Sequence, residues 1–161
     1  LTSRLNLLLN TILSRCQIIR FKPYSNKEFK KLLDQSKSNN TDLLSDSEVL
    51  ENLIFISNGS PGKLVDYLNI WNQIPEKIKN EIIFPLKNYE NILFLAKNIT
   101  NDLDLNQQEF LLNYMQRNWW AKTKSKKLIE ILESIKNNIN SSVQPRISWE
   151  VGLLKVKLES N

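Results

Sequence analysis

Three consecutive residues, Ser14-Arg15-Cys16, stand between an apolar run and the β-like stretch QIIRF. An arginine fixed at such a junction has one strong chemical use. At a subunit edge its guanidinium can reach a neighbour's nucleotide and stabilise the charge that develops on a transferred phosphoryl group. A structural use competes with it, because a cation also suits the negative end of a helix. The residues alone leave both open. Chemistry confined to the chain is narrowed by what is missing, for there is no histidine and a single cysteine. Without imidazole there is no Ser-His or Cys-His nucleophile pair and no histidine-containing zinc site. Cys16 is therefore expected to be a small buried residue rather than a nucleophile, and this chain is not expected to be an enzyme by itself.

GSPGK, Gly59 to Lys63, has the look of a phosphate loop but not its spacing. A P-loop needs G-x-x-x-x-G-K-[ST], whereas these glycines are closer together and Leu64 follows the lysine. The spacing predicts a helix stop at Asn58-Gly59 and a new helix capped by Ser60, with Pro61 at its first position. Asp102 with Asp104, and Asp46 with Glu48, are nominal acid/base or metal pairs. Both pairs stand in or beside predicted helix starts, where carboxylates meet the positive end of the dipole. NWWAKTKSKK, residues 118 to 127, mixes Trp119 and Trp120 with Lys122, Lys124, Lys126 and Lys127. Aromatics beside lysines are what a single-strand binder uses, yet adjacent tryptophans on a helix point about 100° apart. The plainer expectation is that they pack in a bundle while the lysines are solvated.

The elements that must position these residues are mostly helical. Gln17 to Phe21 is expected as one short strand, ended by Pro23. Ser25 and Glu28 form a capping box ahead of an apolar stripe of Phe29, Leu32 and Leu33. After a polar loop at 36–41, Ser45 and Glu48 repeat the box before Val49, Leu50, Leu53 and Ile54. Leu64, Val65, Leu68 and Trp71 are the expected buried face of the helix that Ser60 begins. Pro75 opens a segment over 76–84, Pro85 breaks it, and helix resumes over 86–99. A long segment over 106–136 carries Phe110, Leu111, Tyr114, Met115, Leu128, Ile131, Leu132 and Ile135 as core candidates. The last segment alternates like a strand, but Ile147, Val151, Leu154 and Leu158 also share one helical face, so helix is preferred. Gly152 inside it should cost about 1 kcal/mol relative to alanine.

The totals set limits on partners. The net charge of +5 comes from 17 Lys and 5 Arg against 17 acidic residues, scattered among 21 Asn, which fits a solvated surface better than a selected phosphate-binding face. No apolar run approaches the roughly 20 residues of a membrane span. The opening Leu1-Thr2 has no initiator methionine and no signal-like pattern, so the chain reads as a cut through a larger protein. One cysteine fits a reducing cytoplasm.

NLLLNTILSRCQIIRFKPYS, followed farther along by ISNGSPGKLVDYL, resembles the delta-prime family of bacterial DNA polymerase III, within the clamp-loader branch of the AAA+ proteins. The resemblance implies a mainly α fold in three parts. Residues 1–24 would be the end of an AAA+ core with one short strand, 25–73 a three-helix lid, and 74–161 a helical collar for oligomerisation. It implies that Ser14, Arg15 and Cys16 are the family's SRC motif, with Arg15 acting in trans on an adjacent ATPase subunit. Thr2 or Ser3 would fall near the sensor 1 region. In ATPase relatives the lid motif Gly-Ser-x-Arg ends in a nucleotide-sensing arginine. Here Gly59, Ser60 and Pro61 are followed by Gly62, and Lys63 points elsewhere on the helix, so no ATP sensing is implied. Asn10 departs from a proline common before Thr-Ile. The implied function is a non-hydrolysing clamp-loader subunit with no cofactor of its own, ATP-Mg in the neighbour, and zinc only in an N-terminal part outside this sequence. Implied partners are gamma/tau and delta subunits through the collar, and indirectly the sliding clamp and primed DNA, in the cytoplasm. Two alternatives are the C-terminal part of a gamma/tau ATPase subunit, and a stand-alone nucleic-acid-binding helical module using Trp119, Trp120, Lys122 and Lys126.

Overall fold

The computed structural model describes residues 9–19, 22–25, 27–29, 31, 47–86, 88–141 and 144–159. Its helices are α1 (Asn10–Leu13), α2 (Ser47–Ile56), α3 (Pro61–Gln73), α4 (Glu76–Glu81), α5 (Tyr89–Asp102), α6 (Leu105–Thr123), α7 (Lys126–Asn140) and α8 (Pro145–Glu159). Residues 27–29 and 31 are helical as well.

Among the described residues there is no strand, so the expected AAA+ remnant strand is corrected. Gln17, Ile18 and Ile19 are irregular and exposed, while Arg20 and Phe21 lie outside the described residues. The physical reason is pairing. A strand forms only where its N–H and C=O groups pair with a second strand, and no described segment offers that pairing to residues 17–19, where water can solvate the exposed backbone instead.

Caps fix where the helices begin. The Ser25 backbone N–H donates to Glu28 Oε2 at 2.7 Å, and Glu28 N–H donates to Ser25 Oγ at 3.4 Å, completing the expected box. Leu32, Leu33, the 36–41 loop, Ser45 and Asp46 lie outside the described residues. Asn88 caps α5 through Asn91 N–H at 2.8 Å. Asp104 caps α6, accepting from Gln107 N–H at 2.8 Å while Gln107 Oε1 accepts from Asp104 N–H at 3.0 Å. The 106–136 segment divides into two helices, with Lys124 in the left-handed region at φ 53°. Thr123 accounts for the break: its hydroxyl donates to the Trp119 carbonyl at 2.8 Å and accepts from Ser125 N–H at 3.2 Å. Helix α4 ends at Glu81, earlier than the expected stop before Pro85, and the Phe84–Pro85 peptide is cis.

The bundle is centred on α6, which packs against α2, α3 and α7, while α8 packs against α5 and α7 and α4 lies on α5. One apolar cluster runs from Phe29 through α2–α8 to Val156. Its two largest buried side chains are polar at one end and satisfied there. Trp119 Nε1 donates to the Ile82 carbonyl at 2.9 Å. Trp149 Nε1 donates to Gln108 Oε1 at 2.9 Å, and Gln108 Nε2 donates to the Leu103 carbonyl at 3.0 Å. The first bond ties α6 to the end of α4 and the Trp149–Gln108 bond ties α8 to α6, and each partner left alone would carry an unsatisfied polar group.

Two expected core faces are turned. Val65 is exposed on α3, where Leu64 is the buried residue. Helix α8 buries Ser148, Trp149, Gly152, Leu153 and Val156, so the stripe of Ile147, Val151 and Leu158 faces solvent, at 50%, 46% and 65% exposure. Leu154, in the same stripe, is half-buried.

Candidate functional site

The Ser14-Arg15-Cys16 segment closes the single turn of α1. Ser14 Oγ donates to the Thr11 carbonyl at 3.2 Å, and Arg15 N–H donates to the Ile12 carbonyl at 3.1 Å. The backbone is thus tied locally, while the Arg15 side chain is exposed and makes no ion pair with any described residue. Cys16 is exposed too, which corrects the expectation of a buried small residue.

GSPGK joins α2 to α3. Asn58 and Gly59 take left-handed conformations, at φ 49° and 76°. Gly59 is required there twice over, since a Cβ would also overlap the Pro23 ring, and its carbonyl accepts from Tyr24 N–H at 3.0 Å. The chain leaving the Ser14–Cys16 segment is therefore docked on the turn ahead of α3. Ser60 Oγ accepts from Lys63 N–H at 3.4 Å, and Pro61 is the first helical residue. Gly62 faces open space, with nothing within 4 Å of where its Cβ would be.

The residues of NWWAKTKSKK are separated by the fold. Trp119 is wholly buried, whereas Trp120 is 40% exposed. Lys122 pairs with Glu48 at 3.1 Å, Lys126 with Glu130 at 3.2 Å and Lys127 with Glu159 at 3.1 Å. Lys124 lies over the Trp120 ring at 5.7 Å. Of the four nominated nucleic-acid contacts, Trp120 and Lys126 line one cleft, about 640 Å³ in volume, between the α2–α3 pair and α6–α7. Trp119 and Lys122 line a different one of about 530 Å³, where Lys79 is paired with Glu76 at 2.7 Å.

The larger cleft also takes Lys63 from α3 and Arg117 and Phe55, which sequence patterns did not single out. One signal for Arg117 was present, since it precedes Trp120 by three positions and so shares its helical face.

The carboxylates have structural partners. Asp104 caps α6, and Asp102, at the C-terminal end of α5, pairs with Lys77 at 2.6 Å. Among the described residues no three His, Cys, Asp or Glu side chains are grouped to hold a metal ion. Glu28 is held below the usual carboxylate range, chiefly by the hydrogen bond from the Ser25 hydroxyl, then by the Ser25 backbone N–H and the charge of Lys31.

The described residues form an all-helical bundle with a helix pair, α2–α3, set on its central helix. The chain matches the family described as the cyanobacterial DNA polymerase III delta prime, C-terminal domain, over residues 27–156, and belongs to it. Clamp-loader subunit, in that general sense, is the role the family carries. The matched span contains Gly59–Gly62 and the larger cleft but begins after Arg15. No curated protein and no solved structure matches the chain. Among the described residues no helix is long and apolar enough to cross a membrane.

Proposed function

We propose that this chain is a non-hydrolysing clamp-loader subunit that assembles with its neighbours through α5 and α8 and lends Arg15 to an adjacent ATP site. The observation that carries the reading is the solvent-facing stripe of α8. Ile147, Val151 and Leu158 recur at i, i+4 and i+11, with half-buried Leu154 at their edge, the spacing of a helix made to bury that side, yet the core lies on the opposite side. Helix α5, packed beside it, leaves Tyr89, Leu93 and Phe94 exposed. Large apolar residues set in a helical stripe mark an association surface, and collar helices of gamma/tau and delta subunits are the partners that family membership supports.

Two further features support the rest. Gly62 puts no side chain where ATPase relatives carry a sensing arginine, which fits a subunit that does not hydrolyse ATP. Arg15 is exposed, locally tied and without a counter-ion among the described residues, which fits use by another subunit. Its guanidinium would act on ATP-Mg held by the neighbour, so that turnover drives sliding-clamp opening and release on primed DNA.

The test uses the full-length protein reconstituted with its partner subunits. Val151→Glu places a charge in the stripe and should abolish co-elution with the neighbours while leaving the helical circular dichroism intact. Arg15→Ala should leave assembly intact and lower DNA-stimulated ATP turnover by roughly 10-fold or more, the scale of a trans-acting arginine. Normal assembly by Val151→Glu would remove the stripe from the interface, and unchanged turnover by Arg15→Ala would reduce that residue to a structural role.

A further inference from the structure

The larger cleft combines two features that a solvated surface does not need. Phe55, 53% exposed, and Trp120 are large apolar side chains left open on α2 and α6, and both line it together with Tyr67 and Ile129. Tyr67 is anchored from behind by Phe110, ring centroids 5.2 Å apart. Between these walls stand two cations that make no ion pair with any described residue, Lys63 and Arg117. The Arg117 guanidinium lies 3.8 Å from the Phe55 ring centroid, and its Nε is buried with no hydrogen-bond acceptor. Arg117 thus carries a positive charge against an aromatic wall with no described carboxylate paired to it, and the chemistry complementary to it and Lys63 is a carboxylate entering the cleft.

The distribution of charge decides between a polyanion and a single acidic group. The other two cations of the cleft are already matched, Lys126 by Glu130 and Lys136 by Glu109 at 3.3 Å. Gln116, also in the lining, donates to Glu133 at 2.8 Å. A phosphodiester chain leaving the cleft would thus meet Glu109, Glu130 and Glu133. We infer that this cleft is a docking site for a protein segment that presents an acidic side chain next to an aromatic or aliphatic one. Lys63 and Arg117 take the carboxylate, and Phe55, Trp120 and Ile129 take the apolar neighbour. A cleft of about 640 Å³ lies within the usual range for a buried ligand of a few side chains.

Fluorescence anisotropy on the full chain tests this. The probe is a fluorescein-labelled peptide of about eight residues alternating aspartate and phenylalanine. Controls are the same peptide with asparagine for aspartate, and labelled oligothymidylate of similar length. The acidic peptide should bind about tenfold or more tighter than its asparagine version, the ratio expected for one hydrogen-bonded charge. Lys63→Glu, at an exposed position that the fold does not need, should weaken it by a similar factor, and Trp120→Ala should weaken both peptides. Equal binding of the two peptides, or no loss on Lys63→Glu, would overturn the inference. Tighter binding of oligothymidylate than of the acidic peptide, lost on Lys63→Glu, would also overturn it and assign the cleft to nucleic acid.

Discussion

Gly152 lies in the middle of α8, where a glycine ought to be a weakness. In an open helix, replacing it by alanine gains about 1 kcal/mol. Here the gain meets a neighbour, because an alanine Cβ would overlap Cδ1 and Cγ1 of Ile135 on the adjoining α7. Ile135 is buried in the shared core and cannot swing into solvent. Overpacking of that kind costs about 1–3 kcal/mol, so Gly152→Ala should be net destabilising by about 1 kcal/mol. For a chain of this size that lowers Tm by about 2–4 °C. Ile135→Ala removes both overlapping atoms, leaving only Cβ at ordinary contact distance, and alone should cost about 2–5 kcal/mol. The two changes together should be more stable than their sum by about 1 kcal/mol or more, since the new Cβ occupies the space that Cγ1 and Cδ1 leave. Urea unfolding followed by far-UV circular dichroism on the parent, both single variants and the double variant measures every term. Stabilisation by Gly152→Ala alone, or additivity within about 0.3 kcal/mol, would refute the claim that close approach of α7 selects this glycine.

Gln108→Leu keeps most of the volume but strips the partners from Trp149 Nε1 and the Leu103 carbonyl, and should cost about 2 kcal/mol or more by urea unfolding. Lys77→Ala removes an exposed pair with Asp102 and should cost under about 1 kcal/mol in the same assay. The Glu28 carboxyl titrates below an ordinary glutamate, so the Ser25 cap contributes fully above the ordinary glutamate range. That contribution is lost as pH falls through the lowered folded value, and Ser25→Ala should return the NMR-monitored titration toward normal. Acrylamide should quench Trp120 most, half-buried Trp71 less, and leave Trp119 and Trp149 protected, so Trp120→Phe should remove the largest share of the quenchable signal.

What the sequence revealed and what it hid divide along the range of the interaction. Caps are local contacts, and Ser25 with Glu28 and Ser60 with Pro61 were visible as spacing, whereas Asp104 was visible only as a carboxylate beside a helix start. The core of α6 and α7 was visible too, because Phe110, Leu111, Met115, Leu132 and Ile135 have no competing face. Helix α8 was legible as a helix but not in its orientation. It has two candidate faces, and the more uniformly apolar one, through Ile147, Val151 and Leu158, is the exposed one. The buried face includes Ser148 and Gly152, small residues that score poorly as hydrophobic yet let α7 approach. The expected strand failed for a related reason, since QIIRF has strand-like residues but its fate depends on a pairing partner that local composition does not supply. The two tryptophans show the same limit at the site. Adjacent on α6, they must diverge by about 100°, so NWWAKTKSKK could never have been one binding surface. Which tryptophan faces out is set by Ile82, whose carbonyl takes the Trp119 N–H. Trp120 is thereby left beside Arg117 and opposite Phe55 and Lys63, residues brought from α2 and α3 by packing alone. A cation-and-aromatic cluster assembled from separate helices has no periodicity to detect, and its unsatisfied Arg117 Nε exists only once those helices have met.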